Sequence, residues 1–151
     1  MNYNETLNYI HSLGKFRLPA TLDRIKKVCE NFDNPQNKFK SIHIAGTNGK
    51  GSTATMTANA LINAGYKTGL FISPFVVDFR ERIQINGEYI SENDLTEYAN
   101  RVIETKIELN EFEFITAVAF LYFAEQDIDI AVFETGLGGR LDATNILKNV
   151  L

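Results

Sequence analysis

The sequence is poor in the residues that mark several classes of protein. It has one cysteine, no tryptophan, three prolines and no excess of positive charge, since 15 Lys and Arg stand against 19 Asp and Glu. The lone Cys29 forms no internal disulfide and is expected in the core, and a net charge of -4 favours neither nucleic acid nor an anionic membrane as a partner. The longest apolar stretch, residues 114–124, is shorter than the roughly 18 residues of a membrane span, and the first residues lack the pattern of a signal peptide. These absences predict a cytoplasmic protein.

The residues that are present have the composition of one globular domain. The chain has 151 residues, of which 44% are hydrophobic and 23% are charged. A chain of this length buries a substantial core. Its composition excludes disordered, collagen-like and disulfide-stabilised classes of protein.

Hydrophobic periodicity predicts alternating strands and helices. Strands are predicted at residues 39–45, 67–72 and 128–133, and a small hairpin at Asn86 and Gly87. Helices are predicted at residues 4–13, 21–32, 52–64, 91–109 and 112–126. Thr21 is the expected N-cap of the second helix, and Ser91 and Asp94 the expected capping box of the fourth. The alternation predicts an α/β fold with a mostly parallel sheet and flanking helices.

Six of the ten glycines fall in two clusters, and each cluster directly follows a predicted strand. Ligands of such sheets bind at the carboxyl ends of the strands. Ser73 follows the remaining predicted strand, at the same edge of the sheet. We therefore expect three segments to converge on one site: Ser73, the first cluster of Gly46, Gly49 and Gly51, and the second cluster of Gly136, Gly138 and Gly139.

The first cluster lies in a segment that is typical of a phosphate-binding loop, Gly46-Thr47-Asn48-Gly49-Lys50-Gly51-Ser52. Such a loop turns backbone N–H groups inward, adds the positive end of a helix dipole and supplies a lysine for the phosphates, while a hydroxyl of Ser52 or Thr53 reaches a phosphate or its magnesium. The segment departs from the strict Walker A pattern, because Ile44 replaces the first glycine and Gly51 follows the lysine. The alternative is a structural glycine turn with an exposed lysine.

Other candidate residues have a structural explanation beside the functional one. Glu134 ends a buried strand, which fits a magnesium ligand but also a solvated cap. Ser73 precedes a proline, which is also typical of a turn. His43 is expected to be packed or capped rather than catalytic. The loop arginines either hold anionic substrate groups or lie on the surface: Arg80, Arg82 and Arg140.

Five segments, taken together and in order, indicate a particular family more specifically than any one of them does. They are the phosphate loop, Ser73-Pro74-Phe75, Glu81-Arg82-Ile83, Phe112-Glu113 with Thr116, and the run from Glu134 to Asn145. Their order and spacing resemble the folylpolyglutamate synthase and dihydrofolate synthase family, within the Mur ligase superfamily. The Thr-Asn-Gly-Lys loop alone indicates only the superfamily, whereas its combination with Gly-Leu-Gly-Gly-Arg-Leu-Asp-Ala-Thr-Asn is a much more specific match to the family.

The resemblance implies an ATP- and Mg²⁺-dependent ligase that joins L-glutamate to dihydropteroate or folate through an acyl phosphate. It implies that Lys50 is catalytic and that ATP is bound by Thr47, Asn48, Gly49, Lys50, Gly51 and Ser52. Ser73 and Glu134 correspond to magnesium ligands. The residues expected near the substrate are Phe75, Arg82, Asn110, Glu111, Phe112, Glu113, Leu141, Asp142 and Ala143. Phe75 stands where many members carry histidine, which weakens the case for dihydropteroate relative to folate.

The resemblance also implies that residues 1–151 are the amino-terminal portion of a Mur ligase-like ATP-binding domain. In the family pattern a metal-binding histidine, a lysine that is carbamylated in relatives and the whole carboxy-terminal domain lie beyond Leu151. The chain alone is therefore expected to be inactive or nearly so. Its partners are expected to be small molecules, with no nucleic acid or membrane, and the full-length form is expected to be a monomer.

Three other functions are open at this point. A peptidoglycan-precursor Mur ligase is disfavoured, because only 45 residues precede Gly46 and a separate nucleotide-sugar domain needs more. A non-catalytic nucleotide-binding module, complete at this length, would fold cooperatively as the natural gene product. A P-loop kinase is disfavoured, because the loop lacks the usual Gly-Lys-Ser/Thr ending.

Overall fold

A computed structural model describes residues 1–14, 18–136 and 140–151. Within these residues the sheet has five strands, numbered in chain order as β1 Lys40–Ile44, β2 Thr68–Phe71, β3 Ile83–Ile85, β4 Glu88–Tyr89 and β5 Ile130–Glu134. They lie side by side in the order β1-β5-β2-β3-β4. β5 pairs in parallel with β1 and β2, and the β3–β4 hairpin adds antiparallel to β2. The predicted α/β class, the three parallel strands and the hairpin are confirmed.

Five α-helices flank the sheet in the described part of the chain: α1 Tyr3–Ser12, α2 Asp23–Glu30, α3 Lys50–Asn63, α4 Glu92–Glu104 and α5 Glu111–Glu125. Three short 3₁₀ turns accompany them, at Pro35–Asn37, Phe79–Arg82 and Ala143–Ile146. Capping boxes start α1 and α5, because Asn2 and Asn110 each accept an N–H of the first turn while a glutamate of that turn reaches back. None of the described helices is both long and apolar enough to cross a membrane.

The main core lies between the sheet and the helices α1, α2, α4 and α5. α5 is buried on nearly all sides, as its apolar sequence predicts. The ring of Phe133 on β5 lies 5.4 Å from Phe120, 5.7 Å from Phe123 and 5.5 Å from Phe71, measured between centroids. Large aromatic surfaces buried in such pairs supply much of the hydrophobic stabilisation of the domain. Cys29 is 1% exposed in this core, as expected.

A smaller core lies on the other face of the sheet, under α3. Ala54 and Ala58 of α3 pack against Leu70 of β2 and Val132 of β5. Small side chains on the helix let its backbone lie close to the strands. The amino terminus of α3 is thereby placed beside the carboxyl ends of β1 and β5.

The predicted helix over residues 91–109 is wrong at its carboxyl end. α4 ends at Glu104, and Lys106 adopts a left-handed conformation with φ 57°. That conformation cannot continue a right-handed helix. Leu109, predicted to extend the apolar stripe of this helix, is still buried, but in the segment that leads to α5. At the other end Ser91 accepts the N–H of Asp94, which is one half of the predicted capping box; the reciprocal bond from the Asp94 side chain is not formed.

The predicted N-cap of α2 is also wrong. Leu22 occupies that position and makes no side-chain capping bond. Thr21 precedes it, and the hydroxyl of Thr21 accepts the N–H of Asp23 at 3.1 Å. The Thr21 hydroxyl thus still accepts an N–H of the first turn of α2, although Thr21 lies one residue before the N-cap.

Candidate active site

The predicted phosphate loop joins β1 to α3. Gly49 is the N-cap of α3 and has φ 73°, a left-handed conformation that glycine adopts at little cost. The helix therefore begins at Lys50, two residues before the predicted start. Gly49 offers no side-chain cap, so the first N–H groups of α3 are left for another acceptor. A helix amino terminus of this kind is suited to binding a phosphate.

Lys50 lies against the end of β5. Its ammonium donates to the carbonyls of Thr135 and Gly136, each at 3.4 Å. Both hydrogen bonds are long, so they hold the ammonium only weakly. The lysine is positioned between the first turn of α3 and the turn after β5, where a stronger anionic acceptor is able to displace the two carbonyls.

Glu134, the last residue of β5, joins the three segments at one place. Its carboxylate is buried, with the residue 5% exposed, and Oε2 accepts the N–H of Ser73 at 2.9 Å. Gly51 of α3 lies so close that a Cβ there would be 3.6 Å from the same Oε2. The predicted convergence of the loop, Ser73 and the end of β5 is confirmed. Gly138 and Gly139 of the second cluster lie outside the described residues.

The donors around Glu134 fit one kind of cation site. The described residues include no group of three or more His, Cys, Asp or Glu side chains that could hold a metal ion by themselves. They do bring one buried carboxylate, Glu134, and the serine at position 73 next to a phosphate-binding loop. Mg²⁺ in nucleotide sites uses one or two carboxylates together with phosphate oxygens and water. The residues present therefore fit a magnesium ion that arrives with a nucleotide.

A cavity of about 540 Å³ opens beside Ser73, on the side of the sheet that α5 covers. Eight of the nine residues predicted near the substrate line it: Arg82, Asn110, Glu111, Phe112, Glu113, Leu141, Asp142 and Ala143. Four further lining residues were missed by the sequence analysis: Leu18, Ala20, Thr21 and Pro74. These four lie in loops and carry no charged or catalytic side chain, so no local pattern distinguishes them.

Phe75 is the predicted substrate residue that does not line the cavity. Its ring packs against the Arg82 guanidinium at 5.5 Å, and Phe79 packs against the same group at 5.1 Å. Phe75 thus supports a residue of the cavity wall from behind. The other two candidate arginines do not line the cavity: Arg80 pairs with Asp78 at 2.6 Å, and Arg140 is exposed.

Arg82 is a buried cation with few partners. The residue is 4% exposed and donates to Glu111 Oε1 at 3.3 Å, while its Nε has no acceptor among the described residues. Desolvation lowers the pKa of the guanidinium, and the charge of Glu111 opposes that shift. Arginine nevertheless remains charged in proteins. Arg82 thus lines the cavity while its buried Nε–H has no acceptor among the described residues.

A second buried ion pair fixes the amino terminus of α5. Glu113 accepts two hydrogen bonds from Arg24 of α2, at 2.8 Å and 3.1 Å, and one from the N–H of Asn110 at 2.9 Å. Asn110 in turn accepts the N–H of Glu113 at 2.8 Å. The cavity residues Asn110 and Glu113 are thus held in place against α2.

Asp142 also lines the cavity and is held by backbone and hydroxyl contacts. Its Oδ2 accepts the N–H of Gly136 at 2.8 Å, and its Oδ1 accepts the N–H and the hydroxyl of Thr144. His43 of β1 lies 2.7 Å from the same hydroxyl through Nε2. Burial lowers the pKa of His43. The half-buried ring of His43 is thus capped by a hydrogen bond, which is one of the two structural roles expected for it.

The fold and the site together define a class of protein. A glycine-rich loop between a parallel strand and a helix, with an acidic residue ending the neighbouring strand, is the arrangement of P-loop nucleotide-binding proteins. No family model matches the chain. Individual relatives do match, and they identify the family more narrowly than the fold does.

Curated relatives match almost the whole chain. The dihydrofolate synthase/folylpolyglutamate synthase of Bacillus subtilis is 40% identical over 158 residues, which cover 99% of this chain and 37% of the relative. The folylpolyglutamate synthase of Lacticaseibacillus casei is 39% identical, over 100% of this chain and 37% of the relative. The chain thus spans little more than a third of the length of these relatives.

Solved structures agree with the sequence relatives. Folylpolyglutamate synthase from Thermotoga maritima superposes with a TM-score of 0.90 at 44% identity, over 97% of this chain and 36% of that one. A bifunctional folylpolyglutamate synthase/dihydrofolate synthase from Yersinia pestis, complexed with AMPPNP and a Mn ion, gives a TM-score of 0.90 at 34% identity, over 97% of this chain and 36% of that one. This chain belongs to the folylpolyglutamate synthase and dihydrofolate synthase family.

Proposed function

We propose that this chain forms part of the ATP-binding domain of a ligase that joins L-glutamate to folate or dihydropteroate. The observation that carries the proposal is the position of Ser73, which lines the cavity while its N–H binds the Glu134 carboxylate beside the phosphate loop. A nucleotide on the loop and an acceptor in the cavity therefore meet at one point. A relative of 41% identity and TM-score 0.90, covered by this chain over 38% of its length, has been solved with both AMPPCP and folate.

The phosphate loop is proposed to bind ATP. The backbone of Thr47, Asn48, Gly49, Gly51 and Ser52 surrounds the amino terminus of α3, where free N–H groups and the helix dipole attract phosphate. Lys50 is proposed as the catalytic residue of the chain. Its ammonium leaves two weak carbonyl contacts to neutralise charge on the transferred phosphoryl group.

Ser73 and Glu134 are proposed as magnesium ligands. When bound with ATP, the ion would neutralise phosphate charge and orient the phosphoryl group for transfer. The burial of the Glu134 carboxylate supports this role, since a buried carboxylate with one backbone donor retains lone pairs for a cation. The N–H of Ser73 keeps the carboxylate directed toward the loop.

The cavity is proposed to hold the pterin end of the acceptor. Its volume lies within the range of about 300–1,000 Å³ that is usual for small-molecule sites. Its lining combines the aromatic ring of Phe112 with the charged side chains of Arg82 and Asp142. The remaining proposed contacts are Asn110, Glu111, Glu113, Leu141 and Ala143, with Phe75 supporting Arg82.

The proposed reaction has two steps. A carboxylate oxygen of the acceptor attacks the γ-phosphorus of ATP, and the bond to the β-phosphate oxygen breaks to give an acyl phosphate and ADP. The amino group of glutamate then attacks the acyl carbon, loses a proton and expels inorganic phosphate as the amide forms. Lys50 and the loop N–H groups stabilise charge in the first step by position rather than by covalent chemistry.

The remaining two thirds of the relatives' length is proposed to supply what this chain lacks for the complete reaction. The chain contributes the phosphate loop, the acidic residue and the cavity. Glutamate binding and the rest of the nucleotide site are assigned to that remainder. A cytoplasmic location is part of the same proposal, and the free buried Cys29 is consistent with it.

Nucleotide binding by the full chain tests the proposal. Calorimetric titration with AMPPCP and Mg²⁺ is expected to show one site, and Lys50→Ala is expected to weaken it by about 10- to 150-fold, the loss of one charged hydrogen bond. Lys26→Ala, on the exposed side of α2, is the matched control and is expected to bind as the wild type does. Binding that is unchanged in Lys50→Ala would refute the phosphate-loop assignment.

A further inference from the structure

Four successive contacts connect β1 to the phosphate-loop lysine through residues far apart in the sequence. His43 Nε2 lies 2.7 Å from Thr144 Oγ1, and that hydroxyl donates to Asp142 Oδ1 at 2.5 Å. Asp142 Oδ2 accepts the N–H of Gly136 at 2.8 Å, and the Gly136 carbonyl accepts from Lys50 Nζ at 3.4 Å. We call these five residues the His43 network.

The direction of each hydrogen bond follows from the number of protons available. The Thr144 hydroxyl has one proton, and it donates that proton to Asp142, because a carboxylate only accepts hydrogen bonds. The remaining contact of the Thr144 oxygen must therefore be one that it accepts, from Nε2–H of His43. Burial lowers the pKa of His43, against the opposing charge of Asp142, so the neutral ring is favoured. Its single proton is on Nε2.

The backbone at Gly136 packs closely against Phe112 and Asp142. A Cβ at that position would lie 2.7 Å from the ring of Phe112 and 3.0 Å from Asp142 Oδ2. The ring and the carboxylate therefore leave no space for a side chain at position 136, and the carboxylate also binds the backbone N–H there. Gly136 also lines the cavity, and its carbonyl accepts a hydrogen bond from Lys50. Its position therefore affects both the proposed ATP site and the proposed acceptor site.

We propose that His43 is a positioning residue, which acts through Thr144 and Asp142 to hold the turn that orients Lys50. The proposal rests on the proposed function, because Lys50 acts there on phosphate. Loss of the His43 N–H leaves the Thr144 oxygen without its donor and loosens the Asp142 carboxylate. The Gly136 carbonyl, one of the two weak acceptors of the Lys50 ammonium, is then held less firmly.

Three variants of the full chain separate this role from simple packing. His43→Leu removes the donor, Thr144→Val removes the link, and His43→Gln restores an N–H donor near the position of Nε2. Thr57→Val is the matched control, because the Thr57 hydroxyl donates only to the Thr53 carbonyl on the exposed side of α3. The readouts are the ring ¹⁵N signals of His43, the amide signal of Gly136, the affinity for AMPPCP with Mg²⁺, and thermal unfolding.

The proposal predicts a specific set of results. The wild-type ring should show a protonated Nε2 and a bare Nδ1, and Thr144→Val should shift the Gly136 amide signal. His43→Leu and Thr144→Val should each weaken AMPPCP about three- to tenfold, as expected for one hydrogen bond. His43→Gln should recover most of that affinity, and Thr57→Val should lose none.

Two kinds of result, spectroscopic and binding, would overturn the positioning role. One is a wild-type ring protonated on Nδ1 instead, or a Gly136 signal that Thr144→Val does not move. The other is an affinity that falls equally in His43→Leu and His43→Gln, or only in proportion to lost thermal stability. Failure of the wild-type chain to bind AMPPCP would instead overturn the proposed function, and the two spectroscopic readouts would still decide whether the network exists.

Discussion

The buried pair of Arg24 and Glu113 should be strongly coupled in the stability of the fold. The side chains are 18% and 5% exposed, and two hydrogen bonds join them. Glu113→Leu leaves the Arg24 cation with the Pro19 carbonyl but no anionic partner, and Arg24→Met leaves the Glu113 carboxylate with the Asn110 N–H but no cationic partner. Removing one partner of a buried pair costs about 3–5 kcal/mol, because the remaining charge stays buried and uncompensated.

The double variant is the decisive member of this series. Arg24→Met combined with Glu113→Leu leaves no uncompensated charge, so its free energy of unfolding should fall by much less than the sum of the two single losses. Each single variant should lower Tm by about 6–20 °C, at roughly 2–4 °C per kcal/mol for a chain of this size. Urea unfolding followed by circular dichroism at each corner of the cycle gives the coupling energy.

Additive losses would refute the reasoning. If the double variant loses the sum of the two single losses, the pair does not act as a unit and the α2–α5 junction is held by packing alone. Arg101→Met combined with Glu125→Leu is the matched control, because that pair is 32% and 45% exposed. Exposed pairs couple by about 0–1 kcal/mol.

Three further predictions follow from the site and the core. Glu134→Gln should raise the Mg²⁺ concentration needed for AMPPCP binding while Glu125→Gln leaves it unchanged; an unaltered Mg²⁺ titration in Glu134→Gln would remove this residue from the metal site. Because the pKa of His43 is lowered in the folded chain, the unfolded chain binds a proton at a higher pH, and the free energy of unfolding should fall as the pH drops below about 6.5. His43→Gln should reduce this dependence of stability on pH. Equal pH dependence in the wild type and the variant would contradict the prediction. Burial raises the pKa of Cys29 to about 12, so a thiol reagent at pH 8 should modify this residue only on unfolding, and rapid labelling of the folded chain would contradict its burial.

The parts of the site predicted correctly are those with a local signal. A strand followed by glycines and then by a helix places Lys50 at the sheet edge, and the same rule brings Ser73 and Glu134 to that edge. The apolar sequence of α5 indicates its burial against the sheet. In each case, neighbouring residues along the chain are enough to determine the position.

The parts that the sequence did not reveal depend on contacts between distant segments. Arg24 meets Glu113 across 89 positions, and His43 meets Thr144 across 101, so no window of sequence contains either pair. The end of α4 depends on a left-handed Lys106, a conformation that the residue type does not favour. Such features follow from the packed structure rather than from local propensity.

Product formation tests the central claim most directly. A chimera in which this chain replaces the matching segment of the 40% identical Bacillus subtilis enzyme supplies the rest of the length. With ATP, Mg²⁺, folate and L-glutamate, mass spectrometry should detect folate extended by one glutamate, and Lys50→Ala in the same chimera should form none. Equal product in Lys50→Ala, or release of phosphate from ATP that needs neither folate nor glutamate, would contradict the account.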